Sequence, residues 1–274
     1  MSATSEAAAP SARLPERLRP EPGRMRTIAH RGDSTSAPEN TIDAFEAAVR
    51  AGSDLIEIDV QLTADGDAVV IHDDSALRTT GIDARVAELP AAELTAADAG
   101  SWFGPGFGHA RVPTLATVAE WAEGHPEVGW LVEFKGSWTF AQISGPVAAL
   151  RGQGLAGRTI LQSFHPETVA AARDAGPEFA RALLVGGIDS EDELFGRLHE
   201  LEAAGCNPSG MLPSRTPGLA SRLRAAGYSV FPWTLDEPDE WGAAGGAGVD
   251  GVITNRPGPF RDWHESRWSR PAAA

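Results

Sequence analysis

From Met25 onward the chain alternates short apolar runs with longer amphipathic segments, and this alternation constrains its fold more than any other feature. The apolar runs are Thr27–His30, Leu55–Val60, Ala68–His72, Trp130–Phe134, Thr159–Gln162, Arg181–Val185, Gly210–Leu212, Ser229–Trp233 and Gly251–Thr254. Helical patterns lie between most of them, over Thr41–Ala51, Leu115–Glu123, Ala141–Gln153, Pro166–Asp174, Glu191–Ala204 and Pro217–Ala226. Repeated strand-then-helix order calls for an α/β fold with a parallel sheet. The candidate strands exceed by one the number needed for a (β/α)8 TIM barrel, and the second and third resolve the excess. Val60–Thr63 leads through Ala64-Asp65-Gly66-Asp67 into Ala68–His72. That link is too short for a parallel crossover, which needs about a dozen residues, and Asp-Gly is a hairpin turn signal. Ala68–His72 should therefore fold back antiparallel onto the end of strand two. The remaining runs then make the barrel, and the hairpin returns His72 to the neighbourhood of Asp59.

The chain has 274 residues, 42% of them hydrophobic. One barrel takes roughly 250 residues, so a barrel plus short tails uses the chain up. Residues 1–24, rich in Ala, Pro, Arg and Glu, read as a disordered tail without the apolar segment of a secretory signal. The barrel is expected over 25–264, with a C-terminal tail over 265–274. No apolar run approaches the roughly 18 residues of a membrane span, and a cytoplasmic protein is the default expectation. A formal net charge of −15 argues against nucleic-acid or anionic-membrane partners. Cys206 is the one cysteine, which excludes an internal disulfide and a thiolate metal cage. Segment Asp73–Val112 is too long for an ordinary loop and reads as an insertion over the barrel mouth. Its Trp102, Phe103 and Phe107 either wall a pocket or pack within the insertion itself.

Glu57 and Asp59 stand two apart in an apolar run, so both point to one face of strand two. Carboxylates are almost never buried unpaired. Glu133 repeats the situation near the end of Trp130–Phe134, with Lys135 on the same face. Three carboxylates without sulfur describe a site for a hard divalent cation, Ca2+ or Mg2+, with Mn2+ a third candidate. The plainer alternative is a salt bridge from Lys135 to one of the acids. At the end of strand one, His30 and Arg31 offer a proton-transfer group and a forked phosphate donor. Alone that pair is a weak signal, but His72 supplies a second strand-end imidazole. Two such groups suit phosphodiester cleavage, one removing a proton from the attacking hydroxyl and the other protonating the leaving oxygen. His109, His125, His165, His199 and His264 lack such settings and read as surface or packing residues, with His165 the nearest to a strand end.

The segment AHRGDSTSAPENTIDAFEAAVRAGSDLIEIDVQLTADGDAVVIHDD, residues 29–74, resembles the signature of the glycerophosphodiester phosphodiesterase family. The likeness continues through Val112-Pro-Thr-Leu115, Glu133-Phe-Lys135, Gln162-Ser-Phe164, Trp233-Thr234 and Asp250-Gly-Val-Ile-Thr254. The resemblance implies a (β/α)8 barrel with a metal on Glu57, Asp59 and Glu133. It implies His30 and His72 as the general base and acid, with Arg31 and Lys135 on the phosphate; which histidine acts first as base stays open, and His30 as base with His72 as acid is the order expected here. Family members release glycerol 3-phosphate and an alcohol from small glycerophosphodiesters through a cyclic phosphate. The resemblance also makes Asp73–Val112 the family's small insertion beside the glycerol pocket. Trp233 either stacks on glycerol or closes the barrel. Two positions depart from the pattern: Asp236 stands where Asn is usual, and Asn255 where Asp is usual. Both bear on substrate preference. A phospholipase D-like barrel acting on lysophospholipids or sphingomyelin shares the His-Arg-Gly and Glu-x-Asp elements. A non-catalytic barrel that binds a phosphorylated ligand is a third reading, but it has no need of two histidines.

Overall fold

The computed structural model describes residues 13–21, 23–210, 212 and 216–268. Its strands are β1 (Arg26–His30), β2 (Leu55–Leu62), β3 (Ala68–Val70), β4 (Gly129–Phe134), β5 (Thr159–Ser163), β6 (Ala180–Val185), β7 (Gly205–Pro208) and β8 (Gly251–Thr254). All but β3 are parallel, in the order β7-β6-β5-β4-β2-β1-β8. β3 folds back antiparallel on β2, Val70 opposite Val60 and Ala68 opposite Leu62, as the Asp65-Gly66 turn predicts. The helices are α1 (Ile42–Arg50), α2 (Leu77–Thr80), α3 (Ala91–Ala96), α4 (Leu115–Glu123), α5 (Phe140–Gly152), α6 (Pro166–Ala175), α7 (Glu191–Glu200), α8 (Leu219–Ala225), α9 (Pro238–Ala247) and α10 (Pro257–Trp268). Thr41, Thr114, Thr139 and Ser190 cap α1, α4, α5 and α7, each side chain accepting a first-turn N–H. Among the described residues, no helix is long and apolar enough to cross a membrane.

The seam between β7 and β8 departs from the sequence expectation in two ways. The seventh barrel strand is Gly205–Pro208 rather than Gly210–Leu212. Gly210 lies in a turn, Leu212 is helical, and Met211 lies outside the described residues. Gly-Cys-Asn-Pro has little β-propensity; its extended form comes from pairing with β6 and from the hydrogen bonds of Asn207. Helix α7 accordingly ends at Glu200, before the expected Ala204, and Glu202 takes a φ of +50°. The second departure is that Ser229–Trp233 forms isolated bridges instead of a continuous ladder. It still joins both sides of the seam. Cys206 N–H donates to Ser229 (2.9 Å) and Trp233 N–H to Pro208 (3.1 Å), while Asp250 and Ile253 N–H donate to Val230 and Pro232 (3.0 Å each). The ladder breaks because Pro232 has no N–H and side chains capture its neighbours. Val230 N–H goes to the Asp250 carboxylate and Phe231 N–H to Asn207 Oδ1.

Both expected tails need correction. Residues 1–12 and Pro22 lie outside the described residues, but Leu14 and Leu18 pack into the base of the barrel with Ile28, Leu55, Leu131, Ile160 and Ile253. Arg26 secures this segment by donating to the carbonyls of Arg17 (3.0 Å) and Arg19 (2.7 Å). Two leucines in an Arg- and Pro-rich stretch are too small a pattern to read as core. At the other end, α10 continues past the expected boundary at 264 to Trp268.

Segment Asp73–Val112 holds α2, α3 and two short 3-10 turns around a small core of its own, in which Val86, Leu89 and Leu94 pack on Val69 and Ile71. Trp102, Phe103 and Phe107 meet edge to face, with centroids 5.8 and 5.3 Å apart.

Asn207 is fully buried, donates to Gln162 Oε1 (2.8 Å) and accepts from Phe231 N–H (3.1 Å). Asn207→Ala strands both partners, and each buried unpaired polar group costs about 1–3 kcal/mol. The substitution should lower unfolding free energy by roughly 2–4 kcal/mol in urea titrations; a loss under about 0.5 kcal/mol would show that this amide does not hold the seam.

Candidate active site

Side chains along a strand alternate between faces, and on four neighbouring strands the inward face changes character at the same height. Ile28, Leu55, Leu131 and Ile160 belong to the apolar base layer, and two residues later stand His30, Glu57, Glu133 and Gln162. Strand register then brings the polar residues together. His30 lies opposite Glu57 across β1 and β2, and Asp59 lies opposite Glu133 across β2 and β4. Ligand oxygens of Glu57, Asp59 and Glu133 all lie within 4.8 Å of one another, a set that could hold a metal ion. The three residues are 2%, 1% and 7% exposed.

Such burial demands positive charge, and two side chains supply part of it. Lys135 Nζ lies 3.1 Å from Glu133 Oε1 and 3.6 Å from Asp59 Oδ1. Arg31 Nε lies 3.2 Å from Asp59 Oδ2, and its Nη1 donates to Glu39 (2.8 Å). The Lys135 salt bridge therefore exists, but two cations do not balance three carboxylates. Burial pushes the Asp59 carboxyl up, yet the charges of Arg31 and Lys135 outweigh it and hold Asp59 below its ordinary range. Glu57, buried and facing both other acids, is raised well above the carboxylate range. Burial and then the charge of Asp59 push Glu133 up to about 7. Two acids that resist ionising beside a third that is ionised make a site short of positive charge. An all-oxygen donor set of this kind fits a hard divalent cation.

The loop after β1 is shaped to serve these acids. Arg31 and Gly32 take φ of +59° and +83°, and a Cβ on Gly32 would come within 2.6 Å of the Ala44 backbone. Only glycine fits there. The turn aims the Arg31 N–H at Glu57 Oε2 (3.1 Å). Asn40, at φ +57°, donates from Nδ2 to Asp59 Oδ2 (2.9 Å). Sequence reasoning assigned no role to Asn40, although Pro38–Thr41 is part of the resemblance; an Asn tolerant of left-handed backbone was its only local signal. It also missed Glu39, which joins Arg31 to Arg78 of the 73–112 segment.

The two histidines sit in unlike surroundings. His30 is largely buried, with Nδ1 2.7 Å from Asn255 Oδ1 and Nε2 4.0 Å from Glu57 Oε2. Burial, then the charge of Arg31, lowers its pKa to about 4. His72 is more open, and its Nδ1 lies 2.7 Å from Asp73 Oδ1. Hydrogen bonds from Arg78 chiefly hold Asp73 well below the usual carboxylate range. Gln61 Nε2 ties down the carbonyls of Ile71, His72 and Asp73 (3.2, 2.9 and 2.6 Å), and Ile71 N–H donates to the Asp59 carbonyl. The hairpin thus returns His72 to the end of β2, beside Asp59. A buried neutral imidazole and a carboxylate-backed one are suited to opposite proton transfers.

Trp233 packs against the apolar base layer below the acids, its Nε1 donates to the Asn207 carbonyl (2.8 Å) and its ring meets Phe164 edge to face (5.3 Å). Its backbone carries part of the β7–β8 seam. Of the other histidines, His109 pairs with Asp43, His125 stacks on Trp121, His165 contacts Ser137 and Glu167, His199 lies on α7, and His264 accepts from Met25 N–H.

Residues 30–259 match the model of the glycerophosphoryl diester phosphodiesterase family. A glycerophosphodiester phosphodiesterase of Caldanaerobacter subterraneus subsp. tengcongensis is 35% identical over 233 residues, covering 84% of this chain and 93% of that protein. Among solved structures, a phosphodiesterase of Oleispira antarctica in complex with its product sn-glycerol-3-phosphate is 30% identical, with a TM-score of 0.76 over 87% of this chain and 96% of its own. A glycerophosphodiester phosphodiesterase of Agrobacterium tumefaciens is also 30% identical, with a TM-score of 0.73 over 87% of this chain and 100% of that one.

With Glu133 raised to about 7, a cation bound below that pH must displace a proton. Affinity for Ca2+ or Mg2+ should therefore rise from about pH 6 to about pH 8, with proton release measurable by calorimetry in buffers of unlike ionisation heat. In cation-free protein the sign is opposite. A raised folded-state pKa favours the protonated acid, so stability falls as pH climbs from about 4.5 through about 7. Cation affinity independent of pH would remove Glu133 from the ligand set.

Proposed function

Because the chain belongs to the glycerophosphoryl diester phosphodiesterase family and is a phosphoric diester hydrolase, we propose that it cleaves small glycerophosphodiesters to glycerol 3-phosphate and an alcohol. The carrying observation is the pair of imidazoles in contrasting environments beside one cluster of buried acids. In this reading His30 Nε2 takes the proton of the glycerol 2-hydroxyl as that oxygen attacks phosphorus. His72 gives a proton to the departing alcohol oxygen, leaving a cyclic phosphate. Water then opens the ring with the roles reversed, His72 removing its proton and His30 protonating the 2-oxygen. Both imidazoles finish as they began, and net consumption is one water.

Arg31 and Lys135 bind the phosphate, and the neighbouring faces of Trp233 and Phe164 offer an apolar wall to the glycerol. Glu57, Asp59 and Glu133 would hold one divalent cation, Ca2+ or Mg2+ with Mn2+ a further candidate, whose charge offsets the charge developing on the phosphoryl oxygens. The release of sn-glycerol-3-phosphate as product by the Oleispira relative supports this substrate class.

Glycerol 3-phosphate release from glycerophospho-choline, -ethanolamine, -glycerol and -inositol, after chelation and return of each cation, tests the reading. His30→Ala and His72→Ala should each lower turnover by about a hundredfold or more, the scale of lost general acid–base catalysis, while binding of glycerol 3-phosphate persists. Full turnover in either variant would remove that histidine from the chemistry. Choline release from a lysolipid, without glycerol 3-phosphate from any diester, would favour the phospholipase D-type alternative.

A further inference from the structure

The ring of His30 is held by a chain of hydrogen bonds whose polarity is fixed at its far end. Asp236 Oδ1 accepts from the backbone N–H of Asn255 (2.7 Å) and from Thr254 Oγ1 (2.9 Å). Asp236 Oδ2 accepts from Asn255 Nδ2 at 2.7 Å. A carboxylate can only accept, so the amide NH2 of Asn255 must face it; the flipped amide would set two oxygens 2.7 Å apart. The amide oxygen Oδ1 is thereby turned toward His30 Nδ1, 2.7 Å away, where it also accepts from Ser34 Oγ (3.0 Å). An amide oxygen has no proton to give, so Nδ1 must carry one. In the neutral ring the lone pair then falls on Nε2, the nitrogen on the Glu57 side of the ring.

We infer that Asp236 is a positioning residue that, through Asn255, locks His30 in the tautomer protonated on Nδ1 and keeps Nε2 free to receive a proton. The catalytic use of that tautomer rests on the acid–base reading above; the tautomer itself does not. The two positions where the chain departs from the family pattern thus form one unit. Asp236 is engaged by Asn255 and Thr254.

The test combines the histidine-ring 15N spectrum of the Mg2+-supplemented protein with steady-state kinetics. The His30 signals, assigned by their loss in His30→Ala, should show a protonated Nδ1 and an unprotonated Nε2. Asp236→Asn frees the Asn255 amide to turn over, so the His30 signals should shift to a tautomer mixture. Turnover should fall roughly ten- to a hundredfold, the scale of losing the outer partner of a functional imidazole, with KM little changed. The exchange Asp236→Asn with Asn255→Asp restores an amide–carboxylate pair with an acceptor on Nδ1, and should recover both the tautomer and most of the turnover. A wild-type ring protonated on Nε2 would overturn the inference. So would Asp236→Asn that lowers only thermal stability, leaving tautomer and turnover unchanged, or a double exchange that rescues neither. If the tautomer follows Asp236 but His30→Ala retains turnover, the positioning stands and the acid–base reading falls.

Discussion

Asp59 and Glu133 face each other across two adjacent strands with almost no access to water, and Glu57 lies one inward position below Asp59. Removing an ionised carboxylate from water costs several kcal/mol unless charge and hydrogen bonds are brought to it. Much of the surrounding structure reads as that compensation. The left-handed backbone of Arg31 and Asn40 delivers a guanidinium, an amide and a backbone N–H to the acids. The loop after β4 brings Lys135, whose N–H donates to the Val60 carbonyl and whose own carbonyl accepts the Trp138 indole. Even so, protein cations balance only two of the three acids, which is the physical reason a divalent ion suits the site.

The barrel interior is layered to make that burial tolerable. Below the acids, inward-facing Ile28, Leu55, Leu131 and Ile160 form a dry base closed by Leu14 and Leu18. Gly129 is part of this fit, since a Cβ there would come 2.8 Å from Leu18. Above the base, every inward position on the same strands is polar. The division along a single strand face keeps the hydrophobic contribution to folding and concentrates chemistry at the strand ends, where barrel active sites lie.

The parts of this arrangement that were legible in the sequence are those set by local rules. A period of two puts Glu57 and Asp59 on one face, and an Asp-Gly turn returns His72 to strand two; both follow from residues a few positions apart. What escaped depends on distant partners. β7, Gly-Cys-Asn-Pro, lacks residues that favour strands, and its Asn207 finds its partner Gln162 45 positions earlier. The link from Arg78 to Glu39 spans 39 positions. Leu14 and Leu18 become core only because the barrel has an open base to fill. Asn255 was visible as an unusual residue, yet its effect on His30 needs the Asp236 carboxylate on its other side.

Three acids from two strands converge on a place that could hold one divalent cation. Diffraction at the manganese absorption edge from Mn2+-soaked crystals addresses this directly. The predicted result is a single strong anomalous peak about 2.0–2.6 Å from a carboxylate oxygen of each of Glu57, Asp59 and Glu133. A map without such a peak, with the acids paired only to Arg31 and Lys135, would contradict it.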